Sequence, residues 1–254
     1  MNASQPRAYG PLNTHDITKC FAIAMMVLDH LGAYLLPEVQ ALRILGRTAF
    51  PLFFFLIGYA FTSRIPMRLW GYAGLLTALS VATNGPVLPL DILVSVAACR
   101  LLLPWMESRG WLRPERLHVL WLGLLVLHPL FIFAWDYGSV ALMFAVAGRT
   151  LRHYGEQRIA GEFLALSFLM HGMFSLAAFG SDVPRALCLV ILYAGLGLWM
   201  RGYSLRPVAG LGRGAPVLRW VSQWALDIYA WHVLAFMLAG FFLYPKLHAA
   251  FRWI

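Results

Sequence analysis

Long apolar runs alternate with short polar breaks along almost the whole chain, and this pattern is typical of transmembrane helices. A helix needs roughly 20 apolar residues to cross the hydrocarbon core of a bilayer, and the runs have helical rather than strand lengths. The predicted spans are residues 17–36, 49–63, 69–84, 86–104, 117–134, 137–152, 160–180, 183–200 and 220–243. We therefore expect an all-α polytopic membrane protein, built as a single helical bundle of about nine transmembrane helices.

The amino-acid composition supports a membrane location. Of the 254 residues, 61% are hydrophobic and 12% are charged, whereas soluble domains have about 45–50% apolar and about 25% charged residues. Residues 1–16 are polar and are predicted to form a cytoplasmic N-terminal tail. No later polar segment is long enough to fold separately, so residues 17–254 are predicted to form a single transmembrane domain.

The distribution of positive charge predicts the orientation. Fourteen of the twenty Lys and Arg residues fall on the same side of the predicted bundle as the N-terminus, five fall on the other side, and Arg100 lies within a span. The positive-inside rule then places the N-terminus in the cytoplasm and the C-terminus outside. Because the basic residues are scattered singly through short loops, the net charge of +9 does not indicate a nucleic-acid partner.

Two adjacent ionisable residues, Asp29 and His30, lie inside the first predicted span. Placing such a side chain at membrane depth costs about 2.5–3.5 kcal/mol on insertion scales, so a functional role is expected. Neighbours on a helix point about 100° apart, which argues against a simple dyad between these two residues. We expect Asp29 to pair with Arg43 or Arg47 of the following outer loop. His30 would then face a polar cavity, with His232 as a second candidate for it.

Further polar residues fall on the predicted outer side. Asn84, Asp91, Asp136 and Tyr137 lie near the outer ends of the third to sixth spans. They are candidates for lining a cavity that opens outward. For the two carboxylates the alternative stays open that each occupies a helix N-terminus or a turn, where it would satisfy free amides.

The inner side offers a Gly-rich basic loop that contains Arg206, Arg213 and Arg219. These arginines are either ligand contacts or simple topology signals. His128, beside a proline, is interpreted as an interfacial residue, and His171 as a hydrogen-bonding partner between helices. No pair of histidines has the i, i+4 spacing of a helical zinc site, so no metal is predicted.

Several segments together resemble the TraX family. They are Asp16–Lys19, Asp29–Gly32, Leu42–Phe53, Asp136–Gly138 and Tyr229–His232, and the resemblance extends over nearly the whole chain. The most specific part joins the Asp-His pair of the first span to the sequence Arg-x-x-Gly-Arg-x-Ala-Phe-Pro. The family also looks like a small relative of polytopic acyltransferases that use acyl-CoA.

The resemblance implies an enzyme of conjugative transfer, an acyl-CoA-dependent N-acetyltransferase of the bacterial inner membrane. Acetyl-CoA would donate the acetyl group, no metal would be needed, and the N-terminal amine of a pilin subunit would accept it. In that mechanism His30 is the general base, and Arg47 stabilises the oxyanion. Asp29 holds an arginine, and His232 relays a proton or positions the acceptor.

The cofactor and substrate residues follow from the same hypothesis. Arg206, Arg213 and Arg219 would hold the phosphates of acetyl-CoA. The residues expected to bind the substrate are Arg43, Asn84, Asp91, Asp136 and Tyr137. Three alternatives remain open: an O-acetyltransferase of an envelope glycan, a transporter, and a non-catalytic scaffold of the conjugation machinery.

Overall fold

The computed structural model describes residues 11–83, 87–88, 90–155, 158–179 and 182–243. Helices dominate this part of the chain. They are α1 (Thr14–Tyr34), α2 (Gln40–Gly46), α3 (Ala49–Ala60), α4 (Met67–Ala82), α5 (Ile92–Ser108), α6 (Leu117–Val126), α7 (His128–Ala134), α8 (Gly138–Tyr154), α9 (Arg158–Phe179), α10 (Val183–Arg201), α11 (Gly214–Gln223) and α12 (Ala225–Leu243), with a short 3-10 helix at Pro114–Arg116. The predicted all-α class is therefore confirmed.

Helices occur at each of the nine predicted positions, but fewer are long enough to span a bilayer. Among the described residues, five helical segments are long and apolar enough: α1, Gln40–Ala60, the part of α9 up to Ala177, α10 and α12. A sixth crossing results if the bent pair Pro114–Val126 and His128–Ala134 is one broken span. Length and composition thus support five or six crossings.

Three of the predicted spans contain an added helix, a bend or a break. The second span begins at Gln40, because the chain turns back within residues 35–39, so α2 replaces the expected outer loop. The fifth span bends by 57° after Val126, where Pro129 lacks the N–H of a continuous helix. The ninth contains a break at Trp224, which separates α11 from α12.

Helix α8 lies at the centre of the larger hydrophobic core. Nearly every residue from Gly138 to Leu151 is buried, mostly against α3, α5, α7 and α9. The contact with α3 is a backbone-to-backbone approach, because a Cβ atom at Gly58 would overlap the carbonyl of Ala145, and one at Gly148 the carbonyl of Phe55. Small residues allow the close helix packing that is common in membranes.

A second, smaller hydrophobic core joins α1, α4, α5 and α12. Its buried members are Ile23, Met26, Ala49, Leu69, Ala73, Leu76, Leu93, Ala97, Ala225, Tyr229, Val233 and Met237. Helix α1 also contacts α2 and α3, so it lies between the two cores. The candidate site is built around the C-terminal half of this helix.

Large apolar side chains are exposed on the outer faces of several helices. Examples are Val119, Val126, Leu130, Phe133, Val190, Ile191, Leu198, Phe242 and Leu243. A surface of this kind is unusual in a soluble monomer and suits contact with lipid.

Candidate active site

Two glycines bring α2 directly against the C-terminal half of α1. A Cβ atom at Gly46 would overlap the side chain and backbone of Asp29, and one at Gly32 would lie 3.0 Å from Cβ of Leu42. The close approach places Arg43 beside Asp29. The glycines of the Asp-His-Leu-Gly and Arg-x-x-Gly-Arg segments therefore have a packing role.

Asp29 and Arg43 form an ion pair that is almost closed to solvent. Nη1 of Arg43 lies 3.2 Å from Oδ2 of Asp29, and the two side chains are 11% and 12% exposed. The same Nη1 also donates to the main-chain carbonyl of Asp29 at 3.4 Å. The predicted pairing of Asp29 with an arginine is confirmed, although both arginines lie in or next to α2 and not in an outer loop.

Arg47 follows α2 and is buried between several elements. Its Nη1 donates to the hydroxyl of Tyr137 at 2.8 Å, and its main-chain carbonyl accepts a hydrogen bond from Nε2 of His171 at 3.2 Å. The ring of Tyr137 stacks on Phe50 with 3.9 Å between centroids. Tyr137 adopts a φ of 62°, a conformation that is rare for a bulky side chain and is found at functional sites.

The first-span histidine contacts the last helix of the described chain. Nδ1 of His30 lies 2.7 Å from Nε2 of His232, and Nδ1 of His232 lies 2.6 Å from the carbonyl oxygen of Ile228. A carbonyl oxygen only accepts, so Nδ1 of His232 carries its proton. In the neutral pair Nε2 of His232 is then the acceptor, and Nδ1 of His30 donates. The lone pair of His30 is left on Nε2, which makes no hydrogen bond within the described residues.

Asp91 both caps a helix and belongs to the cluster. Its Oδ1 accepts from the backbone N–H of Leu93 at the start of α5 (2.8 Å), and its Oδ2 accepts from the hydroxyl of Tyr229 (2.9 Å). The ring of Tyr229 meets His30 and His232 edge-on, at centroid distances of 6.0 and 5.9 Å. The capping and site interpretations of Asp91 are therefore compatible.

Asp136 lies in the turn between α7 and α8. Its backbone N–H donates to the carbonyl of Leu90 at 2.9 Å, and its own carbonyl accepts from the hydroxyl of Ser95 at 2.8 Å. Burial raises the pKa of Asp136 from 3.8 to about 7, and the nearby charge of Asp91 adds to the rise, whereas Arg47 acts in the opposite direction. The turn thus holds a carboxyl group that can be protonated near neutral pH.

Some predicted residues lie elsewhere. Asn84 lies outside the described residues. The loop with Arg206 pairs with the start of α1, where the backbone N–H of Thr14 donates to the carbonyl of Arg206 at 2.9 Å. At 1.5 Å per residue, the 16 residues from Thr14 to His30 place this loop roughly 24 Å from the histidine pair. Arg213 and Arg219 lie at the start of α11 and within it.

The interfacial interpretation of His128 is wrong. This side chain is 6% exposed, its Nδ1 lies 3.0 Å from the hydroxyl of Ser139, and its ring packs on Phe174 with 4.5 Å between centroids. Because the helix breaks beside Pro129, His128 begins α7 and is carried under α8 and α9. His171 is a polar contact between helices, as predicted, and it supports the backbone of Arg47.

Three hydroxyl groups of the site were not predicted from the sequence. Tyr229 contacts the histidine pair, while Ser175 and Tyr193 share a hydrogen bond of 2.9 Å next to the ring of His171. Ser175 and Tyr193 lie on consecutive helices, and nothing in their local sequence distinguishes them from ordinary core residues. Tyr229 lies in the Tyr229–His232 segment of the family resemblance, where it had no predicted role.

The assembled cluster combines acid–base and cationic groups at one place. A neutral histidine with a free Nε2 can accept a proton, and a buried arginine next to a tyrosine hydroxyl can stabilise a developing negative charge. Among the described residues, no group of three or more His, Cys, Asp and Glu side chains is arranged to hold a metal ion. The arrangement suits proton transfer coupled to an anionic intermediate.

Apolar spans and a buried acid–base cluster define a polytopic helical membrane protein with a polar centre. The chain belongs to the TraX family, whose model, described as "TraX protein", matches residues 14–240. An uncharacterized protein of Rickettsia prowazekii (strain Madrid E) is 35% identical over 89 residues, which cover 35% of this chain and 36% of that protein. Protein TraX of Escherichia coli is 32% identical over 104 residues, 38% of this chain and 42% of the relative. The chain thus spans less than half the length of either relative, and no solved structure is significantly similar to it.

Proposed function

We propose that this protein is a membrane-embedded acetyltransferase of conjugative transfer. It moves an acetyl group from acetyl-CoA to the N-terminal amine of a pilin subunit. The observation that carries the proposal is the hydrogen-bond chain from the Ile228 carbonyl through His232 to His30. This chain leaves the Nε2 lone pair of a partly buried histidine available to accept a proton.

The reaction needs one proton acceptor and one site for negative charge. The acceptor amine attacks the thioester carbonyl carbon, and Nε2 of His30 takes the proton that the nitrogen loses. The resulting imidazolium shares its Nδ1 proton with Nε2 of His232, 2.7 Å away. When the tetrahedral intermediate collapses, the C–S bond breaks, and the proton held by His30 neutralises the CoA thiolate.

Arg47 and Tyr137 are the proposed oxyanion stabilisers. The Tyr137 hydroxyl accepts from Arg47, so its own hydrogen is directed to another acceptor. The pair therefore offers the oxyanion a guanidinium charge together with an O–H donor. Asp29 holds Arg43 in place through the buried ion pair, and Arg47 is the arginine that contacts the Tyr137 hydroxyl.

The donor and acceptor approach from opposite sides in this proposal. With nine spans, a cytoplasmic N-terminus and an external C-terminus in the bacterial inner membrane, acetyl-CoA arrives from the cytoplasm. Arg206, Arg213 and Arg219 then meet its phosphates first. The acceptor enters from the outside, where the proposed contacts are Arg43, Asn84, Asp91, Asp136 and Tyr137.

The test supplies the purified protein in detergent with isotope-labelled acetyl-CoA and three acceptors. The acceptors are a peptide with the pilin N-terminal sequence, the same peptide with a blocked amine, and an envelope oligosaccharide. We expect label on the free peptide only, with one free thiol released for each acetyl group transferred. Label on the oligosaccharide would replace the pilin acceptor by a glycan hydroxyl. Transfer to no acceptor, by protein shown to be folded, would contradict the enzyme assignment.

A further inference from the structure

Helix α9 brings one buried histidine to the surroundings of the proposed oxyanion site. His171 is 1% exposed, and its Nε2–H donates to the main-chain carbonyl of Arg47 at 3.2 Å. Within the described residues the imidazole makes no other hydrogen bond, because its Nδ1 is buried without a partner. The proposed proton transfer at His30 does not use His171. The histidine thus contacts the backbone of a proposed catalytic arginine without an assigned part in the reaction.

Aromatic packing connects the same imidazole to the side chain of Arg47. The ring centroid of His171 lies 4.9 Å from that of Phe50, and Phe50 stacks on Tyr137 with 3.9 Å between centroids. The Tyr137 hydroxyl accepts a hydrogen bond from Nη1 of Arg47 at 2.8 Å. The contacts therefore begin at the Arg47 carbonyl and return to the Arg47 guanidinium. We call these four residues the positioning circuit.

The next turn of α9 and helix α10 support His171. The Ser175 hydroxyl donates to the main-chain carbonyl of His171 at 2.9 Å and shares a hydrogen bond of 2.9 Å with the Tyr193 hydroxyl. The ring centroids of Tyr193 and His171 are 5.1 Å apart. Ser175 and Tyr193 are both buried. A rotation of the imidazole away from Arg47 would therefore disturb its packing against Tyr193.

The orientation of Arg47 decides how well it can stabilise a negative charge. Preorganised donors stabilise a transition state without reorganisation at the moment of reaction. An arginine side chain has many rotamers, and contacts at its main chain and at its guanidinium restrict them. The positioning circuit supplies one contact at each end. A displacement of about 1 Å can cost roughly 10²-fold in rate, so these contacts bear on the reaction as well as on stability.

The same geometry favours a neutral imidazole. Nε2 of His171 carries its proton, because a carbonyl oxygen only accepts. A second proton on Nδ1 would be buried without an acceptor and would add a positive charge in the surroundings of Arg47. His171 is therefore suited to hold a neighbour in place and not to transfer a proton.

We propose that His171 is a positioning residue, which holds Arg47 and Tyr137 in the orientation that the oxyanion needs. It acts through its hydrogen bond to the Arg47 carbonyl and through the packing of Phe50 on Tyr137. The inference rests on the proposed acetyl transfer and specifies how its oxyanion site is preorganised.

The test compares substitutions on α9 that keep or remove the hydrogen-bond donor. His171→Gln keeps it, because the side-chain amide nitrogen can take the place of Nε2. His171→Met fills the space without a donor. Ser167→Ala is the matched control: Ser167 is buried one turn earlier on the same helix, and its hydroxyl donates to the carbonyl of Phe163 in that helix. Each purified protein is assayed below its thermal unfolding midpoint, and kcat and KM are referred to the folded fraction.

We expect His171→Met to lower kcat about 10²-fold with little change in the KM for acetyl-CoA or for the pilin peptide. His171→Gln should retain most of the wild-type kcat, and Ser167→Ala should retain all of it. Equal kcat values for His171→Met and His171→Gln would overturn this inference and leave the acetyltransferase proposal intact. A folded wild type that transfers no acetyl group would overturn both.

A second pair of variants applies if His171→Met does not fold. His171→Asn places its amide near the position of Nδ1 and leaves the Arg47 carbonyl without a donor, whereas His171→Gln supplies one. A lower kcat for His171→Asn than for His171→Gln supports the inference. Equal kcat values contradict it.

Discussion

Carbonyl oxygens determine the protonation pattern of the candidate site at the scale of single residues. The Ile228 carbonyl fixes Nδ1–H on His232, and the Arg47 carbonyl fixes Nε2–H on His171. The first of these bonds directs the free lone pair of His30 to Nε2. The fold therefore determines the tautomers of His232 and His171.

The two histidines of the pair should act as one unit. We expect His30→Gln to lower acetyl transfer by about 10²- to 10⁴-fold, the usual contribution of a general base, and His232→Gln to lower it less. The double variant should be no slower than His30→Gln alone, because a relay has no effect once the base is absent. Initial rates of transfer from labelled acetyl-CoA, measured for the wild type, the two single variants and the double variant, give this comparison. Independent, multiplicative losses would contradict a shared role.

The buried ion pair of Asp29 and Arg43 should appear as strong coupling in stability. Asp29→Asn or Arg43→Gln alone leaves an uncompensated buried charge and should destabilise the fold by about 3–5 kcal/mol. The double variant should lose clearly less than the sum of the two. Unfolding free energies in detergent give the comparison. Additive losses would show that the pair does not interact.

Asp136 should make stability depend on pH. Its pKa is raised from 3.8 to about 7 in the fold. The stability it contributes is therefore full below the unfolded pKa and is lost as pH rises through about 7. Asp136→Asn should gain thermal stability relative to the wild type between pH 5 and pH 8. A difference between the two proteins that stays constant over this range would contradict the raised pKa.

The sequence predicted the site in part. The sequence could place four site residues together because they lie on one short hairpin: Asp29, His30, Arg43 and Arg47. Ionisable side chains are rare in and next to apolar spans, so these residues stand out in the sequence. The hydrogen bond to His232 could only be suggested, since it joins residues 202 positions apart. The support of the site by tyrosine and serine hydroxyls depends on helix packing, which the hydrophobic pattern does not encode.

At the scale of helices, two helix pairs pack through backbone contacts at glycines and not through interdigitating side chains. Gly58 and Gly148 let α3 and α8 touch through their backbones, and Gly46 does the same for α2 and α1. The α2–α1 crossing lies at the site itself, because Gly46 packs on Asp29. This crossing therefore sets the distance between Asp29 and Arg43.

The α3–α8 crossing should not tolerate a single added methyl group. Gly58→Ala and Gly148→Ala each place Cβ on a backbone carbonyl and should destabilise the protein by about 1–3 kcal/mol or more. Gly74→Ala on α4 is the control, since nothing lies within 4 Å of its added Cβ. That change should be neutral or slightly stabilising. Equal thermal midpoints for all three variants would contradict the backbone contact.

Helix positions could be predicted from the sequence because apolar runs of helical length have few other structures in a membrane. The boundaries that differ have local causes. Helix α2 was missed because it is only two turns long and contains Arg43. Its sequence was therefore interpreted as a polar loop. The break at Trp224 was missed although Ser222 and Gln223 interrupt the apolar run directly before it.

At the scale of the whole molecule, the two hydrophobic cores meet at α1. One group of helices supplies His30, Asp91, Tyr229 and His232, and the other brings Arg47 and Tyr137 to the same region. The proposed reaction needs both, because the base and the oxyanion site come from different groups.

The most direct test of the central claim is the intact mass of pilin purified from cells that co-express this protein. The account predicts one added acetyl group on the pilin N-terminal amine with the wild type and with His118→Gln, which alters an exposed histidine paired with Glu162. It predicts unmodified pilin with His30→Gln that is present and folded in the membrane. Unmodified pilin with the wild type, or full acetylation with His30→Gln, would contradict the account.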